Sequence, residues 1–313
     1  MIIAVGCLLC GFGLYWRTVS NKTLRLAETL RTSNSPERIV SLAPNLTEIL
    51  FALGLDEKII AVSSDSDWPP ATADKKKLGT FWQPSTEAVI ACQPDLVVTL
   101  WFEQQRAVAE TLKRLGIKVL TLRIEKITEL WAAIKETGTA AGHKQEADKL
   151  IEDINRKLKD LKAKLGSVNK VRVLWVIQNE PLQVVGRNTF INEMMEMAGG
   201  ENAIGATIQQ YPSIGSEEIL VCGAEVIIQS AMGTENIAQQ RRAAEVFWSR
   251  FANLPAVANG RIYVIESDAV LRLGPRLAEG VEAIAHCLHP EIFQFNQKPV
   301  TDDVLSLSKE NTE

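Results

Sequence analysis

This 313-residue chain contains an internal repeat, in which residues 86–98 align without a gap on residues 216–228. The matched positions have the same chemistry: Thr86 with Ser216, Glu87 with Glu217, Cys92 with Cys222, and Asp95 with Glu225. Each copy predicts a helix that is capped by the hydroxyl residue, carries a carboxylate in its first turn, and is followed by a buried strand. A duplicated α/β unit indicates two similar lobes with a cleft between them. The alternative is a chance similarity between two helix–strand units of one α/β protein.

The composition is typical of a globular protein that does not bind nucleic acid. Hydrophobic residues make up 46% of the chain and charged residues 23%, and the net charge is −4, so no strong basic surface is available for a polyanion. A chain of this length forms one large domain or two ordinary ones. Its five cysteines lie in apolar contexts, which favours buried free thiols over a disulfide framework.

The N-terminal segment, residues 1–16, contains no charged residue, and Arg17 follows it. It is short for a membrane span but suits the core of a signal peptide or a short anchor. No basic residues precede it, so either the true start lies upstream or the segment is an uncleaved anchor. Ala4-Val5-Gly6-Cys7 loosely resembles a lipoprotein cleavage site, which makes Cys7 a candidate for lipidation. A buried N-terminal helix is the alternative, and the polar residues 17–36 are expected to act as a tether.

Short apolar stretches alternate with amphipathic ones from Arg38 onwards. The uniformly apolar stretch Leu96–Leu100 indicates a parallel strand that is covered on both faces, and residues 104–115 indicate a helix. Asn45 and Glu48 have the spacing of a capping box at the start of the first helix. The alternation predicts an α/β fold with parallel, helix-covered sheets.

A long helix is predicted at residues 144–166. Its apolar stripe consists of Leu150, Ile154, Leu158, Leu161 and Leu165. No Gly or Pro interrupts it before Gly166, and its length is about 35 Å at 1.5 Å per residue. The predicted organisation is an N-terminal lobe at residues 37–143, this helix as a stiff connector, a C-terminal lobe at residues 167–290, and a polar tail at residues 291–313.

Motifs that are typical of enzymes are missing from the sequence. It contains no phosphate-binding loop, no Gly-rich dinucleotide fingerprint and no Ser in a nucleophile elbow. His286 and His289 share one predicted helix, so they do not indicate a metal centre built from several loops. Asp65 and Asp67 lie in one loop and could serve catalysis, but no partner acid or base accompanies them. We expect no catalytic residue, no metal site and no bound cofactor.

Aromatic residues at loop positions are the main candidates for a binding site. Trp101 directly follows an apolar strand, and Trp68, Trp82 and Tyr211 lie close to prolines in predicted loops. Open α/β sheets bind ligands outside the carboxyl ends of their strands. Indole and phenol side chains offer flat contact area with a polar edge, which suits a bulky, partly polar ligand. The alternative is that each of these side chains covers the core of its lobe.

Four short motifs carry a resemblance to a known family. They are Arg38–Glu48, Ser66–Pro70, Gln93–Val97 and Gly274–Arg276. In their order and spacing these motifs resemble the cobalamin-binding members of the periplasmic solute-binding proteins of ABC importers, a group that also includes iron–siderophore and haem binders. The resemblance covers residues 37–290 and implies two α/β lobes joined by one long rigid helix, with a ligand cleft between the lobes.

The resemblance also implies roles for individual residues. The ligand-binding positions that it implies are Trp68, Trp82, Trp101, Tyr211, Asp268 and Arg272. Glu87 and Glu217 match the two carboxylates that dock on arginines of the permease. The His clusters of metal-binding relatives are missing here, which argues against a free metal ion as the ligand.

Two classes of function remain open. The resemblance favours an extracytoplasmic binding protein that captures a corrinoid and delivers it to an ABC importer, with an iron–siderophore or haem as the alternative ligand. Such a protein is expected to be a monomer in the periplasm or on the outer face of the cytoplasmic membrane, held by residues 1–16 or by a lipid on Cys7. The other class is an enzyme on the same two-lobed scaffold, which would need a catalytic constellation that the sequence does not show.

Overall fold

The computed structural model describes residues 35–231, 236–265 and 268–293. The predicted anchor at residues 1–16, Cys7, nearly all of the tether and most of the polar tail lie outside these ranges. Within the ranges, no helix combines the length and the apolar character that a membrane span requires.

Five parallel strands form the sheet of the first lobe. They are β1 (Ile39–Ser41), β2 (Ile59–Val62), β3 (Lys76–Lys77), β4 (Leu96–Leu100) and β5 (Val119–Leu122), in the spatial order β3-β2-β1-β4-β5. The helices that connect them are α1 (Pro44–Ala52), α2 (Thr86–Ala91) and α3 (Glu103–Arg114). Strand β1 is buried throughout and β4 nearly so, as expected for parallel strands that are covered on both faces.

Two long helices lead from the first lobe to the second. Helix α4 (Ile127–Ala141) was not expected from the sequence, whereas α5 (Lys144–Leu165) occupies the predicted position of the connecting helix. The chain turns between them at Gly142, whose φ of 81° suits glycine. Helix α5 packs against α4 and buries Ala147 as well as most of the predicted stripe.

The sheet of the second lobe is mixed. Its strands are β6 (Val171–Asn179), β7 (Leu182–Val184), β8 (Gly200–Asn202), β9 (Val226–Ser230) and β10 (Ile262–Ile265), in the order β10-β9-β6-β7 with β8 also paired to β6. The fold differs from the expected parallel sheets at β7, which is antiparallel to β6. Only Glu180 and Pro181 separate these two strands, and so short a connection permits only an antiparallel pair.

Six described helices belong to the second lobe. They are α6 (Phe190–Met197), α7 (Ser216–Val221), α8 (Ile237–Ser249), α9 (Pro255–Ala258), α10 (Asp268–Leu271) and α11 (Leu277–Leu288). Helix α11 packs against both α5 and α6, so the connecting helix contacts the last helix of the first lobe and the last helix of the second.

The two lobes repeat one arrangement of strands. The order β2-β1-β4-β5 in the first sheet matches the order β8-β6-β9-β10 in the second, and all of these pairs are parallel. Helices α2 and α7 occupy equivalent positions, because α2 leads into β4 beside β1 and α7 leads into β9 beside β6. The sequence similarity of residues 86–98 and 216–228 therefore coincides with equivalent structure.

The ends of α2 and α7 are fastened by the same contacts. Nη2 of Arg38 donates to the carbonyl oxygen of Cys92 at 2.6 Å, and Nη2 of Arg172 donates to that of Cys222 at 2.9 Å. The backbone N–H groups of the two arginines donate to carboxylates at aligned positions, which belong to Asp95 (3.0 Å) and Glu225 (2.8 Å). Each lobe thus holds its duplicated helix against its first strand through one arginine.

The N-terminal caps of the duplicated helices differ from the sequence-based expectation by one residue. Ser85, not Thr86, caps α2, because its Oγ accepts from the N–H of Ala88 at 3.2 Å. Gly215 precedes α7, and its N–H donates to Oε2 of Glu218 at 2.7 Å. Thr86 and Ser216 are the first helical residues, so both candidate docking carboxylates remain in a first helical turn.

The largest hydrophobic core extends through both lobes. It joins Ile39 and Leu96 of the first sheet, Ile154 of α5, Trp175 of the second sheet and Leu277 of α11 in one cluster of buried side chains. Smaller clusters lie within each lobe. Because the shared core would have to open for the lobes to separate, their relative position is determined by packing as well as by the connecting helix.

Candidate ligand-binding cleft

Three loops with aromatic residues lie at the carboxyl edge of the first sheet. They follow β2, β3 and β4, and contain Trp68, the pair Phe81-Trp82 and the pair Trp101-Phe102 respectively. Parallel strands end at the same edge of their sheet, so these loops are neighbours, and this is the edge where open α/β sheets bind ligands.

The buried side chain of Gln105 connects two of these loops to the sheet. Its Nε2 donates to the carbonyl oxygens of Phe81 and Leu42, both at 2.8 Å. Its Oε1 accepts from the N–H of Leu100 at 2.8 Å and from the hydroxyl of Thr99. All of its polar atoms have partners within the fold, so Gln105 positions the aromatic loops and leaves ligand contact to their side chains.

An aromatic cluster forms where the second and third loops meet. The ring centroids of Phe81 and Trp82 are 4.4 Å apart, and that of Trp82 is 5.4 Å from Phe102. Trp82 is 55% exposed, and Trp101, which adjoins Phe102 in the chain, is 58% exposed. Two large indoles are therefore held at this edge with more than half of their surface in contact with solvent.

A network of buried hydroxyl groups supports the loop that contains Trp68. The Oγ1 of Thr47 donates to Oγ of Ser41 at 2.8 Å and lies 3.0 Å from Oγ of Ser66. The hydroxyls of Ser63 and Ser66 are 2.8 Å apart, and Nζ of Lys77 donates to the carbonyl oxygen of Ser66 at 2.6 Å. These contacts fix the backbone immediately before Asp67 and Trp68.

A buried ion pair joins the lobes below Trp68. Glu48 of α1 is 4% exposed and accepts two hydrogen bonds from Arg276, one from Nε at 2.9 Å and one from Nη2 at 2.6 Å. The Arg276 guanidinium also lies 4.8 Å from the centroid of the Trp68 ring. Burial raises the pKa of Glu48, and the hydrogen bonds and charge of Arg276 oppose that rise.

The predicted capping box of the first helix is wrong. Helix α1 begins at Pro44 after Ala43, which provides no side-chain cap. Glu48 pairs with Arg276, and Nδ2 of Asn45 donates to the carbonyl oxygen of Leu273 at 3.2 Å. Both residues contact the second lobe, so tertiary contacts replace the local ones that their spacing suggested.

A second ion pair between the lobes is more exposed. Arg272 donates from both of its terminal nitrogens to the carboxylate of Asp67, and its Nη1 is also 3.2 Å from Oδ2 of Asp268. Burial alone would raise the pKa of Asp67, but the hydrogen bond and the charge of Arg272 outweigh it, and the pKa is lowered. The carboxylate that could have suggested catalysis is thus one half of an ion pair.

Tyr211 lies in the second lobe, on the loop between β8 and α7. The loop is held beside β7, where the N–H of Gly186 donates to the carbonyl oxygen of Gln210 at 2.7 Å. The Tyr211 side chain is 37% exposed, and the surrounding protein atoms raise the pKa of its phenol. Among the described residues, no ring contact joins Tyr211 to the aromatic cluster of the first lobe.

The structure groups the predicted site residues in two sets. Trp82 and Trp101 belong with the aromatic cluster. Trp68 contacts Arg276 of the buried ion pair, and Arg272 with Asp268 belongs to the more exposed one. Sequence reasoning missed Phe81, Phe102, Glu48 and Arg276 as parts of this region. The aromatic doublets Phe81-Trp82 and Trp101-Phe102 could have indicated the first two. The pairing of Glu48 with Arg276 had no signal in the separate motifs, because 228 positions separate the two residues.

Two further features do not belong to the aromatic loops. Glu87 and Glu217 are exposed on α2 and α7, the duplicated helices. A concave region of about 670 Å³ lies beside Lys58, His143 and Glu146, shares no residue with the aromatic loops, and is lined largely by charged and polar side chains. Among the residues that the structure describes, no group of three or more His, Cys, Asp or Glu side chains could hold a metal ion.

Comparisons with known proteins agree with this fold. A family profile described as periplasmic binding protein matches residues 39–269. An uncharacterized ABC transporter substrate-binding lipoprotein of Bacillus subtilis is 32% identical over 267 residues, which cover 83% of this chain and 82% of the relative. The vitamin B12-binding protein of Vibrio parahaemolyticus is 29% identical over 265 residues, which cover 84% of this chain and 93% of the relative.

Solved structures with the same fold bind different ligands. The periplasmic vitamin B12-binding protein BtuF of Vibrio cholerae superimposes with a TM-score of 0.69 at 24% identity, covering 83% of this chain and 98% of that one. A periplasmic heme-binding protein of Pseudomonas aeruginosa superimposes with a TM-score of 0.70 at 27% identity, covering 86% of this chain and 96% of that one. The family profile and the Bacillus subtilis relative show that this chain belongs to the periplasmic binding protein family.

Proposed function

We propose that this protein captures a corrinoid between its lobes and delivers it to an ABC importer. One observation carries the choice of a bulky ligand with flat faces: two indoles, Trp82 and Trp101, are more than half exposed at the carboxyl edge of the first sheet. Trp side chains are highly buried on average, and exposed aromatic surface beside the ligand-binding edge of a sheet is typical of a binding site. A macrocycle with broad apolar faces is a partner of suitable shape.

The polar groups of the cleft suit the rim of such a ligand. A corrin ring carries amide side chains, which both donate and accept hydrogen bonds. Asp268 is an acceptor and Arg272 a donor, and the two lie 3.2 Å apart. Because Asp67 already binds Arg272 from the opposite lobe, the amide rim would have to share this arginine with the ion pair between the lobes.

A haem is the second candidate, and Tyr211 is the observation that favours it. A tyrosine oxygen can ligate haem iron, and the phenol of Tyr211 is partly exposed in the second lobe. The raised pKa of this phenol opposes its ionisation before a ligand arrives. An iron–siderophore would use the same cleft and the same class of transporter.

Calorimetric titration of the full chain with cyanocobalamin, haem and ferrichrome tests the ligand assignment. We expect saturable binding of cyanocobalamin at one molecule per chain. Replacing both Trp82 and Trp101 by Ala should weaken it by roughly tenfold or more, because two aromatic contact surfaces are removed. Leu115→Ala is the matched control, since Leu115 is as exposed as Trp101, at 58%, but lies at the end of α3.

Tyr211→Phe separates the two macrocycles. This change removes the only atom through which Tyr211 could bind iron, so a haem complex that depends on it would lose most of its affinity. Corrinoid binding should change little, because the ring of Phe offers the same flat surface. Haem binding that disappears in Tyr211→Phe, together with no binding of cyanocobalamin, would contradict the corrinoid assignment.

The proposed location is the outer face of the cytoplasmic membrane. The Bacillus subtilis relative is a lipoprotein by name, and Ala4-Val5-Gly6-Cys7 loosely resembles a lipoprotein cleavage site. Fractionation of cells that produce the full chain should recover it with membranes, and Cys7→Ser should release it if a lipid is the anchor. Retention of Cys7→Ser with membranes would favour residues 1–16 as the anchor, and recovery of the unaltered chain in the cytoplasm would contradict both.

A further inference from the structure

The two arginines that join the lobes already have carboxylate partners. Arg276 donates to Glu48 from two of its three nitrogens. Arg272 contacts two carboxylates, since both of its terminal nitrogens donate to Asp67 and its Nη1 is 3.2 Å from Oδ2 of Asp268. Three carboxylates therefore match two guanidinium groups at this contact, and its charges sum to a negative value when all five groups are ionised.

The carboxylates are the more exposed members of the second ion pair. The Arg272 side chain is 21% exposed, against 60% for Asp67 and 39% for Asp268. Although burial opposes it, the hydrogen bond and the charge of Arg272 lower the pKa of Asp67, so this carboxylate is ionised at neutral pH. A group that approaches the pair from solvent therefore meets negative charge before it reaches the guanidinium.

The aromatic loops around this pair contribute no cation of their own. Three loop segments that carry predicted ligand-binding aromatics contain no Lys or Arg: residues 63–70, 78–85 and 203–214. Arg123 follows β5 at the same edge of the first sheet, but it is 2.6 Å from Glu125 and 3.4 Å from Glu129. These segments therefore offer an anionic ligand nothing that would compensate for the carboxylates beside Arg272.

We infer that Asp67 is a specificity-determining residue, which disfavours ligands with a carboxylate at the rim by holding Arg272 and by facing the ligand with its own negative charge. This inference rests on the proposed function and narrows the ligand class to macrocycles with an uncharged rim. An amide can accept from Arg272 and donate to Asp67 or Asp268 at the same time, whereas a carboxylate only accepts. Repulsive elements of this kind discriminate between ligands of similar shape.

The charge at Asp67 distinguishes the two candidate macrocycles. The rim of a corrin ring carries amides, whereas haem carries two propionate groups. A propionate near Arg272 would also lie beside Asp67 and Asp268, and like charges in contact cost binding free energy. The ion pair therefore favours a corrinoid, and the charge of the rim can be varied experimentally without changing the macrocycle.

Cyanocobalamin and its b-, d- and e-monocarboxylic acids test the inference, because each acid replaces one rim amide by a carboxylate on the same macrocycle. In calorimetric titration of the full chain, at least one acid should bind about five- to tenfold more weakly than cyanocobalamin. Asp67→Asn should reduce this ratio to about twofold, and the loss of an exposed ion pair should cost little stability. Asp56→Asn is the matched control and should leave the ratio unchanged, because Asp56 is exposed in the turn before β2, at the opposite edge of the same sheet.

Salt dependence separates charge repulsion from a difference in shape. Raising the ionic strength from about 0.1 M to about 1 M shortens the Debye length from roughly 10 Å to roughly 3 Å. The ratio between cyanocobalamin and the weakest-binding acid should shrink in the unaltered chain and change little in Asp67→Asn. A ratio that does not respond to salt would indicate steric selection and overturn the inference.

Haem and its dimethyl ester form a second pair, in which the ester should bind more tightly and Asp67→Asn should improve binding of haem more than binding of the ester. Equal affinities within each pair, or a ratio that Asp67→Asn does not reduce, would overturn the role of Asp67 and leave capture of a macrocycle standing. Binding of the haem pair without binding of any corrinoid would contradict the corrinoid assignment, and the haem pair then decides the role of Asp67. Absence of binding to all of these compounds would contradict both proposals.

Discussion

The buried pair of Glu48 and Arg276 provides a quantitative test of how the lobes are joined. Arg276→Met keeps an apolar side chain near Trp68 but leaves the carboxylate of Glu48, at 4% exposure, without its cation. Both hydrogen bonds, at 2.6 and 2.9 Å, are lost. Removing one partner of a buried pair costs about 3–5 kcal/mol. For a protein of this size, the melting temperature should fall by roughly 6–20 °C.

Arg272→Met is the matched comparison, because it breaks the other ion pair between the lobes. Its partner Asp67 is 60% exposed and regains water when Arg272 is removed. We expect a loss of stability of at most about 1 kcal/mol. Burial of the remaining carboxylate, not the number of hydrogen bonds, is what separates the two variants.

The cost of Arg276→Met should depend on pH in a defined direction. The pKa of Glu48 in the folded protein is raised above its ordinary value of 4.5, and loss of Arg276 removes the main interactions that oppose this rise. A carboxyl group with a raised pKa binds its proton more tightly in the folded protein, so it stabilises the fold below pH 4.5. This contribution to the free energy of unfolding is lost as the pH rises through the folded-state pKa. The deficit of Arg276→Met should therefore be small near pH 4 and grow towards pH 8.

Urea unfolding followed by circular dichroism at pH 4 and pH 8 measures these differences. Adding Glu48→Gln to Arg276→Met should recover much of the loss at pH 8, because the neutral amide is cheaper to bury than a carboxylate. A loss that is independent of pH, or that Glu48→Gln does not reduce, would refute the reasoning.

Three further outcomes are expected. Glu87→Ala with Glu217→Ala should leave corrinoid affinity unchanged but weaken capture by permease vesicles, since truncating a buried interfacial charge costs on the order of 2–5 kcal/mol. Unaltered capture would leave both residues with only the favourable position of a carboxylate in a first helical turn. Gln93 and the aligned Gly223 both have a left-handed backbone, with φ of 48° and 61°, which costs free energy for any residue with a Cβ. Gln93→Gly should therefore stabilise the protein by up to about 1 kcal/mol, and Gly223→Gln should destabilise it. Urea unfolding that shows the opposite signs would disprove this. The uninterrupted helix Lys144–Leu165 should keep lobe closure small, so X-ray scattering profiles with and without cyanocobalamin should nearly coincide, and a clear drop in the radius of gyration would contradict a stiff connector.

The repeated segment allowed much of the fold to be predicted. Its helix–strand pattern indicated two equivalent lobes, and the apolar stripe of residues 144–166 indicated the helix between them. Such local patterns are visible because periodicity reports which face of an element is buried. Helix α4 was missed although its buried residues have the same helical spacing as those of the connecting helix. Strand β7 was missed because three residues are too few to show a period.

The candidate site was predictable only in part. Trp68, Trp82, Trp101 and Tyr211 were identified by their loop positions, which the structure retains. The role of Glu48 was misassigned because its spacing from Asn45 fits a local cap, whereas the structure pairs it with a residue of the other lobe. Contacts between residues that lie far apart in the chain leave no periodic trace in a single sequence.

Native mass spectrometry of the full chain, incubated with equal concentrations of cyanocobalamin, haem and ferrichrome, tests the central claim most directly. The proposed function predicts one cyanocobalamin per chain as the main complex, and loss of that complex when Trp82 and Trp101 are both replaced by Ala. A main complex with haem or ferrichrome, or cyanocobalamin binding that is unaffected by the two replacements, would contradict it.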